Sequence, residues 1–166
     1  SALHLCYLVL GINKNDEILI PTLNYIASAN AAKYVGAIPH FVDVEKETLG
    51  IDVDKLDRYL KKICIKKGSY FFNKKTNKKI TAVIPTHLYG SISNMSGLKS
   101  LAKKYNLDLI EDAAEAIGAD LNGIYAGTFG RMGVLSFNGN KTITTGSGGA
   151  IFFKNKKDYE RAKVLA

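Results

Sequence analysis

Few residues in this sequence combine reactive side chains with a setting that would let them react. Glu111 and Asp112 close an apolar run, Leu107–Asp112, read LDLIED. An aspartate in that place has two roles open to it. It can cap the following turn, where Ala113 and Ala114 present free amides. It can also hold a cationic heterocycle nitrogen. Lys141 lies in a comparable setting, Ser136-Phe-Asn-Gly-Asn-Lys141-Thr-Ile-Thr-Thr-Gly146, behind another apolar run and among hydroxyl and amide side chains. A lysine sheltered there can serve as a Schiff-base nucleophile. Ser136 offers a hydroxyl to a phosphate, and the glycines from Gly146 to Gly149 permit close backbone approach.

Such residues need a frame, and the hydrophobic pattern supplies one. Glu17–Pro21, Ile38–Val44, Ile80–Pro85, Leu107–Asp112, Gly133–Asn138 and Gly149–Lys154 read as short apolar strands. Helical stretches lie between them: Leu3 to Leu10 stopping at Gly11, Tyr25–Tyr34, Asp52–Lys62, and a helix capped by Asn94 or Ser96 that runs through Tyr105. This alternation indicates an α/β protein with a mostly parallel sheet flanked by helices on both faces. In such sheets ligands collect beyond the carboxyl ends of the strands. That rule singles out Pro21–Tyr25, Pro85–Gly90, Asp112–Glu115 and Ser136–Lys141. Tyr7, Tyr34 and Tyr105 sit among apolar neighbours at helical spacing and are expected in the core. Helical patterns at both ends begin or stop without caps, so the chain reads as a piece truncated at both ends.

Composition removes several classes of function. The chain has 166 residues, 46% apolar and 23% charged, which suits one globular domain with a single core. No apolar run approaches the ~18 residues of a spanning helix, and no secretion signal is visible. Cys6 and Cys64 cannot form a disulfide framework, which fits a cytoplasmic protein. Cys64 has lysines beside it, a setting that lowers a thiol pKa. His4, His40 and His87 lack metal-ligand spacing, so no metal is expected. Neither G-x-G-x-x-G nor a Walker loop is present. The net charge of +8 is local, because Lys61 to Lys79 holds eight lysines and no acid while the remainder balances at 15 against 15. That stretch shows no period and reads as a solvated loop. A basic nucleic-acid-binding module remains an alternative.

The same segments carry a family resemblance. Ile20-Pro-Thr-Leu-Asn-Tyr25, Gly36-Ala-Ile-Pro-His-Phe-Val-Asp43, Ile84-Pro-Thr-His-Leu-Tyr-Gly90, Glu111-Asp-Ala-Ala-Glu-Ala116 and the Ser136–Gly146 stretch occur in family order. Together they resemble the DegT/DnrJ/EryC1/StrS family of sugar aminotransferases that depend on pyridoxal 5'-phosphate. The resemblance implies a fold-type I, aspartate-aminotransferase-like large domain. Residues 1–166 would be a partial cofactor-binding domain, with a lysine-rich insert at about 61–79 and the small C-terminal domain absent. It implies Lys141 as the catalytic, cofactor-linked lysine and Asp112 as the partner of the ring nitrogen. Ser136 and Ser1 would meet the phosphate, Tyr25 would stack on the ring, and Glu115 would sit against the cofactor. The expected reaction moves an amino group from glutamate to a nucleotide-linked 4-keto-6-deoxyhexose, in a cytoplasmic homodimer that binds neither nucleic acid nor membrane. A protein that binds pyridoxal phosphate or a sugar nucleotide without turnover is the other alternative. Ser147 stands where the family usually has glutamate.

Overall fold

The first helix, α1 (Ala2–Leu10), stops where Gly11 turns left-handed at φ 70°, and a short turn leads into β1 (Asp16–Pro21). The computed structural model describes residues 1–166. After β1 come α2 (Ala27–Tyr34), β2 (Ile38–Val42) and α3 (Val53–Ile63). A hairpin follows, β3 (Cys64–Lys67) and β4 (Tyr70–Asn73), and then β5 (Lys79–Val83). Next are α4 (Met95–Tyr105), β6 (Asp108–Asp112) and the small pair β7 (Asp120–Leu121) and β8 (Ile124–Tyr125). The chain closes with β9 (Met132–Ser136), β10 (Gly149–Phe153) and α5 (Lys156–Leu165).

The main sheet runs β10-β9-β6-β5-β1-β2. All neighbours are parallel except β10, which pairs antiparallel with β9. The mostly parallel α/β sheet read from the sequence is therefore present. One face packs Ile18, Ile20, Ile84 and Ile110 against α1, α2 and α5. The other packs Leu19, Val83 and Leu109 against α3 and α4. Each fully buried Ile or Leu contributes about 1.5–3 kcal/mol. Side-chain caps set the helix starts. The Asp52 carboxylate accepts from the Lys55 amide, and Asn94, of the two candidates, accepts from the Gly97 amide. No helix is long and apolar enough to cross a membrane.

Three local expectations change. The lysine-rich stretch is no loop: it forms the end of α3 and the β3–β4 hairpin, with β4 laid antiparallel along the start of β5. Phe71 anchors it, meeting Tyr105 edge-on at 5.1 Å. Tyr34 lies at the end of α2 and is exposed, with its ring edge-on to His4, whereas Tyr7 and Tyr105 are buried. Burial pushes the Cys64 thiol up to about 11, outweighing the pull of Lys74, so the adjacent lysines do not activate it.

Arg131 ties α5 to the sheet. Its Nε and Nη2 donate to Asp158 at 2.6 and 2.7 Å, and its Nη1 donates to Asp108 at 2.8 Å. These bonds hold the Asp158 carboxyl below the usual range. A depressed carboxyl stabilises the fold above its unfolded value and loses that contribution as pH falls through the folded one. Breaking a fully buried pair costs about 3–5 kcal/mol. Arg131 is 39% exposed, so Arg131→Ala is expected to cost only about 2 kcal/mol. Urea unfolding at pH 7 measures that loss, and the gap to wild type should narrow below about pH 4.

Candidate active site

The carboxyl ends of β1, β5, β6 and β9 share one rim of the sheet, and the residues singled out in the sequence gather there. Asp112, the last residue of β6, is 6% exposed. Its Oδ2 accepts from the Ser28 hydroxyl at 3.0 Å and its Oδ1 from the Ala114 amide at 3.2 Å. The second bond is the turn-capping role. The first comes from α2, 84 residues away in sequence, and no pattern in the sequence pointed to it. Both donors are neutral. Burial pushes the Asp112 carboxyl up from its ordinary value, and these bonds and the charge of Lys141 offset only part of that rise.

Glu111 precedes Asp112 on the strand and so faces the opposite side of the sheet. It is completely buried. Its Oε2 accepts from the Gly127 amide at 2.8 Å and its Oε1 from the Gly130 amide at 2.6 Å, which pins the loop before β9. His87 Nε2 lies 2.9 Å from Oε2, while His87 Nδ1 accepts from the Ser93 amide at 3.3 Å. The ring proton therefore belongs on Nε2 and is donated to Glu111. This carboxylate organises backbone and leaves the rim to Asp112.

Lys141 lies in the turn after β9, with its side chain 15% exposed, and its Nζ donates to Glu115 Oε1 at 3.3 Å. Glu115 Oε2 accepts from the Tyr89 amide at 3.1 Å. Tyr89 sits in a 3-10 turn, Leu88–Gly90, and is left-handed at φ 54°. That backbone costs a non-glycine residue about 1–2 kcal/mol, and the Glu115 bond helps to hold it. One carboxylate thus links the ends of β5 and β6 to the lysine turn.

Ser136 closes β9, and its Oγ accepts weakly from the Asn138 amide at 3.4 Å. Tyr25 follows β1 and is 68% exposed, with its ring free. Ser1 is the N-cap of α1 and makes no side-chain capping bond. Because α1 descends toward the start of β1, Ser1 lies on the same rim. These three share the rim with Asp112 and Lys141 but form no hydrogen bond to either. Ser147 is exposed, and its carbonyl accepts from the Thr145 hydroxyl. A concavity of about 330 Å³ lined by Lys99, Asp108, Phe129 and Arg131 opens at the amino ends of β6 and β9, away from this rim.

The donor set fits pyridoxal phosphate. A desolvated carboxylate with only neutral donors matches a cationic ring nitrogen, and a sheltered amine stands nearby on Lys141. Tyr25 offers a flat face. Ser136 and the free amides at the start of α1 suit a phosphate.

Comparison with known proteins bears on the family and the fold. The model of the DegT/DnrJ/EryC1/StrS aminotransferase family matches residues 1–166. The chain is 44% identical over 160 residues to the GDP-perosamine synthase of Escherichia coli O157:H7, covering 96% of this chain and 40% of that protein. A crystal structure of a DegT/DnrJ/EryC1/StrS aminotransferase from Brucella abortus superposes with a TM-score of 0.84 at 30% identity, over 99% of this chain and 41% of that one. NtdA from Bacillus subtilis, solved with its bound cofactor PMP, gives a TM-score of 0.78 at 31% identity, over 97% and 33%. The chain thus spans about two fifths of the length of the curated relatives it matches. These likenesses bear out the expected fold-type I architecture.

The raised Asp112 carboxyl makes a signed prediction for the cofactor-free protein. A carboxyl that binds its proton more tightly when folded stabilises most below its unfolded value of about 4, and that contribution fades as pH rises through the folded value. Asp112→Asn has no such step. Its thermal midpoint should exceed wild type by a few degrees at pH 8 and converge on it near pH 4. Equal midpoints at pH 8 would show that the Asp112 charge carries no penalty.

Proposed function

Because the chain belongs to the DegT/DnrJ/EryC1/StrS aminotransferase family, we propose that it forms the cofactor-binding part of a pyridoxal-phosphate-dependent sugar aminotransferase. The single observation that carries this reading is Asp112, buried at the end of β6 with neutral donors only, on the same rim as Lys141. The substrate in this reading is a nucleotide-linked 4-keto-6-deoxyhexose, and glutamate is the amino donor. The relative named GDP-perosamine synthase supports the sugar class. The family resemblance supports glutamate and a homodimer.

Pyridoxal phosphate, when bound, supplies an electron sink and a carrier for the amino group. Asp112 keeps a proton on the ring nitrogen, since a desolvated carboxylate is stabilised most by a cation beside it. Ser28 and the Ala114 amide fix the direction of its oxygens. Lys141 Nζ is the nucleophile toward an aldehyde carbon and afterwards the base that moves a proton. Glu115 Oε1 receives Nζ, so the amine is held in place and must leave Glu115, neutral, before it reacts. Tyr25 covers one ring face, and Ser136 with the α1 amides anchors the anionic end. Water is kept from the rim floor by Ala113 and Ala116, both buried against Leu135.

The test uses purified full-length protein. Adding pyridoxal phosphate should give a visible absorbance band that Lys141→Ala abolishes and glutamate bleaches. Lys141→Ala should lower transamination roughly 10²–10⁴-fold or more. A band indifferent to glutamate would favour a non-catalytic cofactor-binding protein. Absence of any band in the wild type would overturn the proposal.

A further inference from the structure

We infer that Thr86 is a positioning residue at this site: its hydroxyl is a hydrogen bond held in reserve for Asp112, made when a cationic ring binds against that carboxylate. The inference rests on the reading of the rim as a pyridoxal phosphate site and adds a residue to it.

Thr86 is 5% exposed, and its Oγ1 is fully buried without a hydrogen-bond partner. Leaving a buried hydroxyl unpaired costs about 1–3 kcal/mol, so such groups are rare unless something else needs them. The other such atom, Tyr7 Oη, sits on α1 in the core, on the Asp112 face of the sheet and within reach of its charge. Thr86 differs in its address. It continues β5 and forms a parallel bridge with Asp112. The His87 amide donates to the Asp112 carbonyl at 3.0 Å, and the Asp112 amide donates to the Pro85 carbonyl at 2.9 Å. Thr86 is therefore the residue in register with Asp112.

Partners in a parallel ladder lie about 4.7–4.9 Å apart with side chains on the same face. The core confirms that face, since Ala82 and Ile84 precede Thr86 in the same cluster that holds Ile110, two residues before Asp112. An ionised carboxylate accepts at about four lone-pair sites. Ser28 and Ala114 take two, and a ring N–H would take a third. One remains, and Thr86 stands across the ladder from this residue, on the same face. Such a bond is a strong one beside a bound cation, because hydrogen bonds to ionised groups are worth roughly twice those between neutral ones. The hydroxyl thus costs stability in cofactor-free protein and returns it when the cofactor binds.

This predicts effects of opposite sign from one substitution. In full-length protein, Thr86→Val removes the hydroxyl at nearly constant volume. Its cofactor-free thermal midpoint should rise, while its dissociation constant for pyridoxal phosphate, titrated by absorbance, should increase about five- to tenfold. Thr86→Ser keeps the hydroxyl and should bind within about twofold of wild type. A Thr86→Val protein that binds as tightly as wild type overturns the inference and leaves the cofactor site standing. A midpoint lowered by Thr86→Val also overturns it, by showing that the hydroxyl already has a protein partner. Wild type that fails to bind pyridoxal phosphate sinks both readings together.

Discussion

Two consecutive carboxylates cannot share one face of a strand, and the end of β6 is organised by that constraint. Period-two alternation sends Glu111 to the α4 side and Asp112 to the α2 side. On its side Glu111 gathers two loop amides and a histidine, each within 2.9 Å, and becomes part of the scaffold. On the other side Asp112 is given less, a hydroxyl and one amide. The first acid is satisfied so that the second can be left short. The pinned loop leads into β9, whose pairing with β6 carries the Lys141 turn to the same rim.

The incomplete solvation of Asp112 gives the rim its character. A carboxylate that the protein can barely support prefers a cation, and a pyridinium nitrogen is one of few cations that can enter with its own hydrophobic ring. Glu115 shows the same logic at lower intensity. It is partly exposed, receives Lys141 and holds the left-handed backbone of Tyr89, so the amine is kept at the rim that Asp112 occupies. Strain at Tyr89 and thin support at Asp112 are small costs concentrated at one end of a well-packed sheet.

Much of this was readable in the residues and some of it was not. Continuous apolar runs such as Ile80–Pro85 announce buried parallel strands, and the strand ends then follow, which is why Asp112, Ser136 and Lys141 stood out. Ser28 did not. A serine in a small-residue helix looks like packing, and only the tertiary fold carries it to Asp112. The β3–β4 hairpin was hidden because Ile65, Lys67, Tyr70 and Phe72 mix charge and ring on its outward face, which erases the alternation expected of a strand. Cys64 misled in the other direction, since its lysine neighbours in sequence matter less than the burial imposed by the fold. Tyr34 shows the limit of helical spacing near a helix end, where the face it would share runs out.

The hairpin also gives the molecule an electrical axis. The lysines that follow it, Lys74, Lys75, Lys78 and Lys79, cluster where β5 begins, with Lys78 reaching back to the Lys14 carbonyl, whereas Asp112 and Glu115 mark the opposite ends of the strands. A body charged in this lopsided way turns in a field. On an anionic bead or a cation-exchange matrix it would settle lysine side down, and the rim that holds Asp112 would face the mobile phase.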